Sequence, residues 1–204
     1  MKPILFNTEM VKAILNGRKT MTRRVIKFPK GTTGRLPSNG FFNVSPYLFY
    51  PCGIKHPKYK VGDVLYVREK FCTAYDGEAY FYFADKCTNR EQNKLLNYDD
   101  AYWRPSIHMP KEIARIFLKI TKVRVEKLQD ISFIEALNEG AEPRITEYDA
   151  YSISCQKACI DAFHKLWDST IKKSELDRYS WNANPWVFVY QFDRCEKPVR
   201  EVKE

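Results

Sequence analysis

The sequence is poor in the residues that most often announce a metal or a cofactor. Its three histidines, His56, His108 and His164, are scattered, and its six cysteines show no CxxC spacing. Zinc knuckles and thioredoxin-type pairs need such spacing, so neither is indicated and no metal is expected. The eight glycines form no paired-glycine phosphate loop. "GRKTMT" has a glycine, a lysine and threonines, but not the spacing that cradles pyrophosphate. Nucleoside triphosphate hydrolysis is therefore unsupported, and no cofactor is expected. No run approaches the ~18 apolar residues of a membrane span, and "MKPILFNTEM" is too short in its apolar part for a secretory signal. The expectation is a cytoplasmic protein with reduced thiols and no membrane partner.

What the chain has in excess is aromatic and basic. Phe, Tyr and Trp make up 15% of it, and large flat side chains favour strands, so a sheet-dominated core is expected. Thirty-four Lys and Arg against twenty-five Asp and Glu leave +9 with histidines neutral. That balance favours an anionic partner such as nucleic acid or a nucleotide, although solubility alone accounts for it equally well. With 44% apolar residues the chain can bury one core, and residues 1–204 read as a single domain. Two polar stretches, about 28–59 and 86–100, are too long for ordinary connections and read as insertions.

Local signals place the elements. Residues 7–17 read as a short helix, with Asn7 as cap, Gly17 as left-handed exit, and Met10, Val11, Ile14 and Leu15 as its buried stripe. "KVGDVLYVREKF" gives a turn and a strand in which Glu69 shares a face with Leu65 and Val67. "EAYFYFAD" reads as a second strand. The segment from Ile116 to Val125 reads as a long strand whose apolar parity switches, as a bulge or sharp bend would require. Ser132 and Glu135 stand at the capping-box interval, with Gly140 as exit, which leaves Glu139 at the last helical position against the helix dipole. Cys155, Ala158, Cys159, Ala162, Phe163, Leu166 and Trp167 make a helical stripe, which casts the two cysteines as core fillers. "WVFVYQFDR" puts Trp186, Phe188, Tyr190 and Phe192 on one face of a final strand. The order of elements points to a mixed α+β domain around a twisted antiparallel β-barrel with flanking helices.

Chemistry is concentrated in "ILNGRKTMTRR". A threonine hydroxyl is a weak nucleophile until a base takes its proton, and a lysine is such a base once desolvation or a neighbouring cation lowers its pKa. Lys19 and Thr22 lie on opposite faces of a regular strand, so they meet only if the chain bends. Arg18, Arg23 and Arg24 supply neighbouring charge, and Thr20 lies among them. The same run also reads as a solvated basic turn. Further binding candidates are Arg24 and Arg68 as phosphate contacts, and Trp103 with His108 in a proline-bounded loop that either stacks on a base or anchors by packing. Glu69 either faces solvent at the end of its strand or, if buried, needs a cation, for which an arginine of the basic turn is the expected partner.

"ILNGRKTMTRR", "YKVGDVLYVRE", "ISFIEALNEG" and "NPWVFVYQFDR" together resemble the ASCH domain of the PUA-like superfamily. With "WRPSIHMP" the chain is similar to the larger phage- and prophage-associated ASCH proteins. The resemblance implies a PUA-like β-barrel with helices at its mouth and a basic cleft for RNA or a modified nucleoside. Small ASCH proteins include amidohydrolases that remove the acetyl group from N4-acetylcytidine. By that similarity Lys19 would be the general base, Thr22 the nucleophile and Glu139 the proton relay. Other ASCH proteins bind or cut RNA, and a phage interaction module without catalysis is a further alternative. The sequence does not set the oligomeric state.

Overall fold

The computed structural model describes residues 1–28, 57–73, 79–85, 102–143 and 153–198. The expected insertions at about 28–59 and 86–100 lie almost wholly outside the described residues. The elements are β1 (Lys2–Leu5), α1 (Thr8–Leu15), β2 (Met21–Val25), β3 (Val64–Arg68), β4 (Phe71–Thr73), β5 (Tyr80–Tyr82), β6 (Phe117–Lys127), α2 (Phe133–Asn138), α3 (Ile153–Thr170), α4 (Leu176–Tyr179) and β7 (Trp186–Cys195). The fold is mixed α+β. Five strands form one sheet in the order β1-β3-β6-β7-β2, and β4 with β5 forms a second, two-stranded one.

The sheet differs from a closed antiparallel barrel in two ways. Its end strands, β1 and β2, are not paired with each other among the described residues. Its edge pair β1–β3 is parallel, with Lys2 opposite Leu65 and Leu5 opposite Arg68. Closure needs a consistent stagger of strands around the whole circuit. A four-residue strand running parallel to its neighbour ends the sheet instead. No helix among the described residues is long and apolar enough to cross a membrane.

Contacts group the chain into two compact units. Met1–Gly17, Gly62–Lys119 and Asp193–Glu204 form the first, while Arg18–Val61 and Ile120–Phe192 form the second. In the first unit, α1 begins where Asn7 Oδ1 accepts from the Met10 N–H at 2.9 Å. It ends before Gly17, whose φ of 73° only glycine adopts without strain. Met10, Val11, Ala13 and Ile14 are its buried residues, with Leu15 half-buried. Tyr66, Phe71, Met109, Ala114 and Phe117 pack together as a core.

In the second unit, α3 buries Cys155, Cys159, Phe163 and Trp167, a stripe at intervals of four. Neither is in a disulfide among the described residues, and both act as small apolar fillers, as their spacing indicated. They pack with Met21 of β2 and with Val187 and Val189 of β7. On the other face of β7, Phe188, Tyr190 and Phe192 are buried as well, whereas Trp186 is half-exposed beneath the Lys127 ammonium at 4.8 Å. β6 runs unbroken for 11 residues. Its buried positions change parity between Ile120 and Val125, beyond the point where the strand passes from one unit to the other.

The capping box of α2 is formed. The Glu135 N–H donates to Ser132 Oγ at 3.3 Å and the Ser132 N–H to Glu135 Oε2 at 3.2 Å. Gly140, at φ 86°, releases the chain. This short helix is what places Glu139.

Candidate active site

The turn between Gly17 and β2 is pinned through Thr20. Its N–H donates to Asn138 O at 2.9 Å, at the end of α2, and its carbonyl accepts from the Phe192 N–H at 2.9 Å. Those two bonds hold Lys19 against the C-terminus of α2. The Lys19 ammonium donates to Glu139 O at 2.7 Å, to Glu139 Oε2 at 2.8 Å and to Met21 O at 2.8 Å. All three of its protons are engaged. The two side chains are 0% and 4% exposed. A carboxylate at a helix C-terminus opposes the dipole, and here two buried cations offset it, because Arg23 Nη1 donates to Glu139 Oε1 at 3.2 Å.

The ionic network extends further. Arg23 donates from Nε to Glu126 Oε1 at 3.1 Å and from Nη2 to Glu135 Oε2 at 3.1 Å. Arg124 bonds Glu126 Oε2 at 2.7 Å and also bonds Glu135. Three cations and three carboxylates thus satisfy one another among the described residues, which is the condition under which buried charge is tolerated. Glu135 serves both the helix cap and the network. Burial drives the Lys19 pKa below its ordinary value; Glu139 opposes the shift, and Arg24 and Arg23 add to it.

Thr22 lies on the opposite face of β2 from Met21 and Arg23. It is buried and stands directly across from Tyr190 of β7, while Arg24 stands across from Phe188 on the same face. Among the described residues, no hydrogen bond holds the Thr22 hydroxyl. Tyr59 meets the Tyr190 ring edge-on at 5.1 Å, and the Lys58 N–H donates to the Tyr190 phenol oxygen at 3.2 Å. Burial, chiefly, pushes the Tyr190 pKa up to about 12. Burial also lowers the Arg24 pKa, against the pull of Glu139, Tyr59 and Tyr190. Because Lys19 bonds Met21 O, its ammonium sits at the peptide that joins Met21 to Thr22.

Among the residues singled out from sequence, Lys19, Arg23 and Glu139 meet directly, with Thr22 and Arg24 on the adjoining strand face. Thr20 contributes its backbone. Arg18 is peripheral, in an exposed pair with Glu142 at 3.2 Å. Arg68, Glu69, Trp103 and His108 belong to the first unit. There the expected pairing of Glu69 with an arginine of the basic turn is replaced by Arg115. Arg115 Nε and Nη2 donate to the two Glu69 carboxylate oxygens at 2.9 and 3.0 Å, and Nη1 and Nη2 donate to Asp85 at 2.8 and 3.0 Å. The cause is strand register. The Val67 N–H donates to Ile116 O, and the next step along this antiparallel pair carries Arg115 to the end of β3, beside Glu69.

Arg68 donates to Ile107 O at 3.1 Å, and its Nε is buried without a hydrogen-bond partner among the described residues. Trp103 packs edge-on against Phe83 at 5.0 Å. His108 is exposed at the end of a single 3-10 turn, Ser106–His108. Sequence reasoning missed Arg124 and Glu126, whose i, i+2 spacing on β6 was a usable signal. It also missed Arg115 and Asp85, which carry no local signal. No group of three His, Cys, Asp or Glu side chains among the described residues could hold a metal ion.

No protein-family model matches the sequence, and no curated protein matches it. A search of solved structures returns the ASCH domain from Lactobacillus crispatus JV V101. This chain is similar to that ASCH domain. The likeness covers 91% of this chain and 69% of that one, at 14% identity and a TM-score of 0.33. That likeness assigns no role to any side chain here.

Proposed function

We propose that the protein is a PUA-like, ASCH-type domain that recognises a modified nucleobase, free or within RNA, and hydrolyses an acyl amide on it. One observation carries the reading: a fully buried lysine, its pKa lowered by burial, lies 2.8 Å from a buried carboxylate and against the peptide of a buried threonine.

With three hydrogen bonds donated, Lys19 is an ammonium and no base. Passing one proton to Glu139 Oε2 gives a neutral amine and a carboxylic acid, and burial favours the neutral amine. The neutral amine then takes the proton of the Thr22 hydroxyl as Oγ attacks the acyl carbon. When the C–N bond breaks, Lys19 returns that proton to the departing exocyclic amine. Water next adds to the Thr22 ester, the acid leaves, and the hydroxyl is restored. The net change is amide plus water to amine plus acid. Arg24, on the Thr22 face, supplies positive charge toward the oxyanion that forms.

The test is hydrolysis of N4-acetylcytidine by the wild type, Thr22→Ala and Lys19→Met, with mass spectrometry of the protein to trap an acetyl group on Thr22. Turnover by the wild type and its loss in both variants is the expected result. No turnover across a range of pH removes the enzymatic reading. A second reading, recognition without chemistry, is favoured by the full engagement of the Lys19 ammonium. Under it the Thr22→Ala protein binds the nucleoside or RNA as the wild type does, and RNA binding weakens as salt rises.

A further inference from the structure

The basic run makes Arg23 a candidate contact for a ligand, yet its side chain is fully buried. A guanidinium carries five N–H groups, and Arg23 commits all five. Nε donates to Glu126 Oε1 at 3.1 Å, and Nη2 donates to the same oxygen and to Glu135 Oε2 at 3.1 Å. Nη1 donates to Glu139 Oε1 at 3.2 Å and to Met21 Sδ at 3.6 Å. The Phe163 ring of α3 lies 5.8 Å from the guanidinium carbon. No N–H is left to meet a substrate or a phosphate, so the work of Arg23 is done inside the protein.

The direction of these bonds assigns that work. Glu126 stands on β6 and Glu135 on α2, and Arg124 of β6 bonds both carboxylates. Together they fix the plane of the Arg23 guanidinium, and its Nη1 then meets Glu139 at the C-cap of α2. Glu139 Oε1 takes Arg23 and Oε2 takes Lys19. A contact at one oxygen alone leaves a carboxylate turning about it, whereas two cations on opposite oxygens set its plane. Proton transfer depends on such alignment, since misplacement by about 1 Å costs about a hundred-fold in rate. Burial is the main cause of the lowered Lys19 pKa, and the charges of Arg24 and Arg23 add to it. A lysine in place of Arg23 would keep its charge and lose its flat fork, which separates the two effects.

We propose that Arg23 is a positioning residue for the Lys19–Glu139 pair: braced by Glu126 and Glu135, it holds the Glu139 carboxylate so that Oε2 stays on the Lys19 ammonium. Its effect on turnover rests on the acyl-transfer reading, while the alignment of the pair does not.

The experiment compares the wild type with Arg23→Lys and Glu126→Ala. Arg23→Lys keeps the charge balance of the network. Glu126→Ala removes the bonds from Nε and Nη2 that aim the fork, and Glu126 bonds neither Lys19 nor Glu139 among the described residues. Circular dichroism and urea unfolding give the folded fraction. With N4-acetylcytidine, kcat per folded molecule is expected to fall by about ten-fold or more in Arg23→Lys and less far in Glu126→Ala, with KM unchanged in both. In NMR of the lysine side-chain nitrogens, the Lys19 ammonium is identified by its loss in Lys19→Met. Its protons are expected to exchange slowly with water in the wild type and faster in both variants. A wild-type kcat, or an unchanged Lys19 exchange rate, in folded Arg23→Lys overturns the proposal. A raised KM with kcat kept also overturns it, because it places Arg23 against the substrate. If Arg23→Lys does not fold, the same readouts in Glu126→Ala decide. If the wild type shows no turnover, the acyl-transfer reading falls and the Lys19 exchange rate alone decides the alignment.

Discussion

Each unit buries a carboxylate against a cation, and the two clusters differ in whether the cation can release its proton. In the first, Glu69 is clamped by Arg115, whose pKa is raised by its hydrogen bonds to Glu69 and Asp85, which outweigh the effect of burial. An arginine does not deprotonate in a protein, so this clamp is a fixed brace. In the second, Glu139 faces a lysine whose pKa is lowered by burial. Under the proposed chemistry this lysine exchanges a proton, and it stands at the peptide of a hydroxyl residue. At similar distances the two carboxylates thus face different cations, a part-exposed arginine and a fully buried lysine.

The sharpest way to break this contrast is to remove the hydroxyl. Thr22→Ala should cut N4-acetylcytidine turnover by about a thousandfold or more, while the free energy of urea unfolding falls by only about 1 kcal/mol. A variant that keeps turnover ends the contrast at once. Exchanging the cations tests it next. Lys19→Arg keeps a charge on Glu139 but cannot give up a proton, so turnover should fall as far as in Thr22→Ala. Arg115→Lys keeps a charge on Glu69, loses the two-pronged geometry, and should leave turnover per folded molecule unchanged.

Removing the brace altogether should show in stability and not in catalysis. Arg115→Met leaves Glu69 buried without its cation, and a loss of about 3 kcal/mol is expected in denaturant unfolding. The figure is set at the low end because the Arg115 side chain is 29% exposed.

The two clusters should also slope oppositely with pH. Lys19 has a folded-state pKa below its ordinary 10.5. Below that lowered value both states are protonated and the whole cost of burying the charge is present. Between it and 10.5 the unfolded chain holds more protons, so stability rises with pH. Turnover should rise as well when Lys19 loses its proton, and Lys19→Met should abolish both rises. Glu69 has a folded-state pKa above its ordinary 4.5, mainly through burial. Between 4.5 and that raised value the folded chain holds the extra proton, so this contribution falls as pH rises and is flattened in Glu69→Gln. Urea midpoints measured across pH check both signs. The smallest effect expected is that of Ser132→Ala, which removes the cap of the helix that carries Glu139. It should cost about 1 kcal/mol, with turnover per folded molecule nearly intact because Lys19 still holds Glu139 from the other side.

Legibility in the sequence followed the range of the interactions. The Asn7 cap, the exit at Gly17, the Ser132–Glu135 box and the cysteine stripe of α3 were readable because each depends on residues within four positions of one another. Glu139 was readable as a misfit against the dipole, though not its partner. The parallel β1–β3 edge was not legible, because a four-residue strand has too few alternations to stand out. Arg115 was missed for a related reason: it reaches Glu69 across 46 residues, through a register that composition does not encode locally.

The sequence by itself determined where helices start and stop, which positions are apolar, and that cations and threonines crowd the exit of the first helix. Backbone sterics and side-chain hydrogen bonds over one turn are enough for that. Only the tertiary structure decided that Lys19 and Arg23 of this basic run are buried and that Lys19 meets a carboxylate 120 residues away. The lowered lysine pKa is a tertiary property too. Desolvation depends on every atom packed around a charge, and those atoms come together only when the chain has folded.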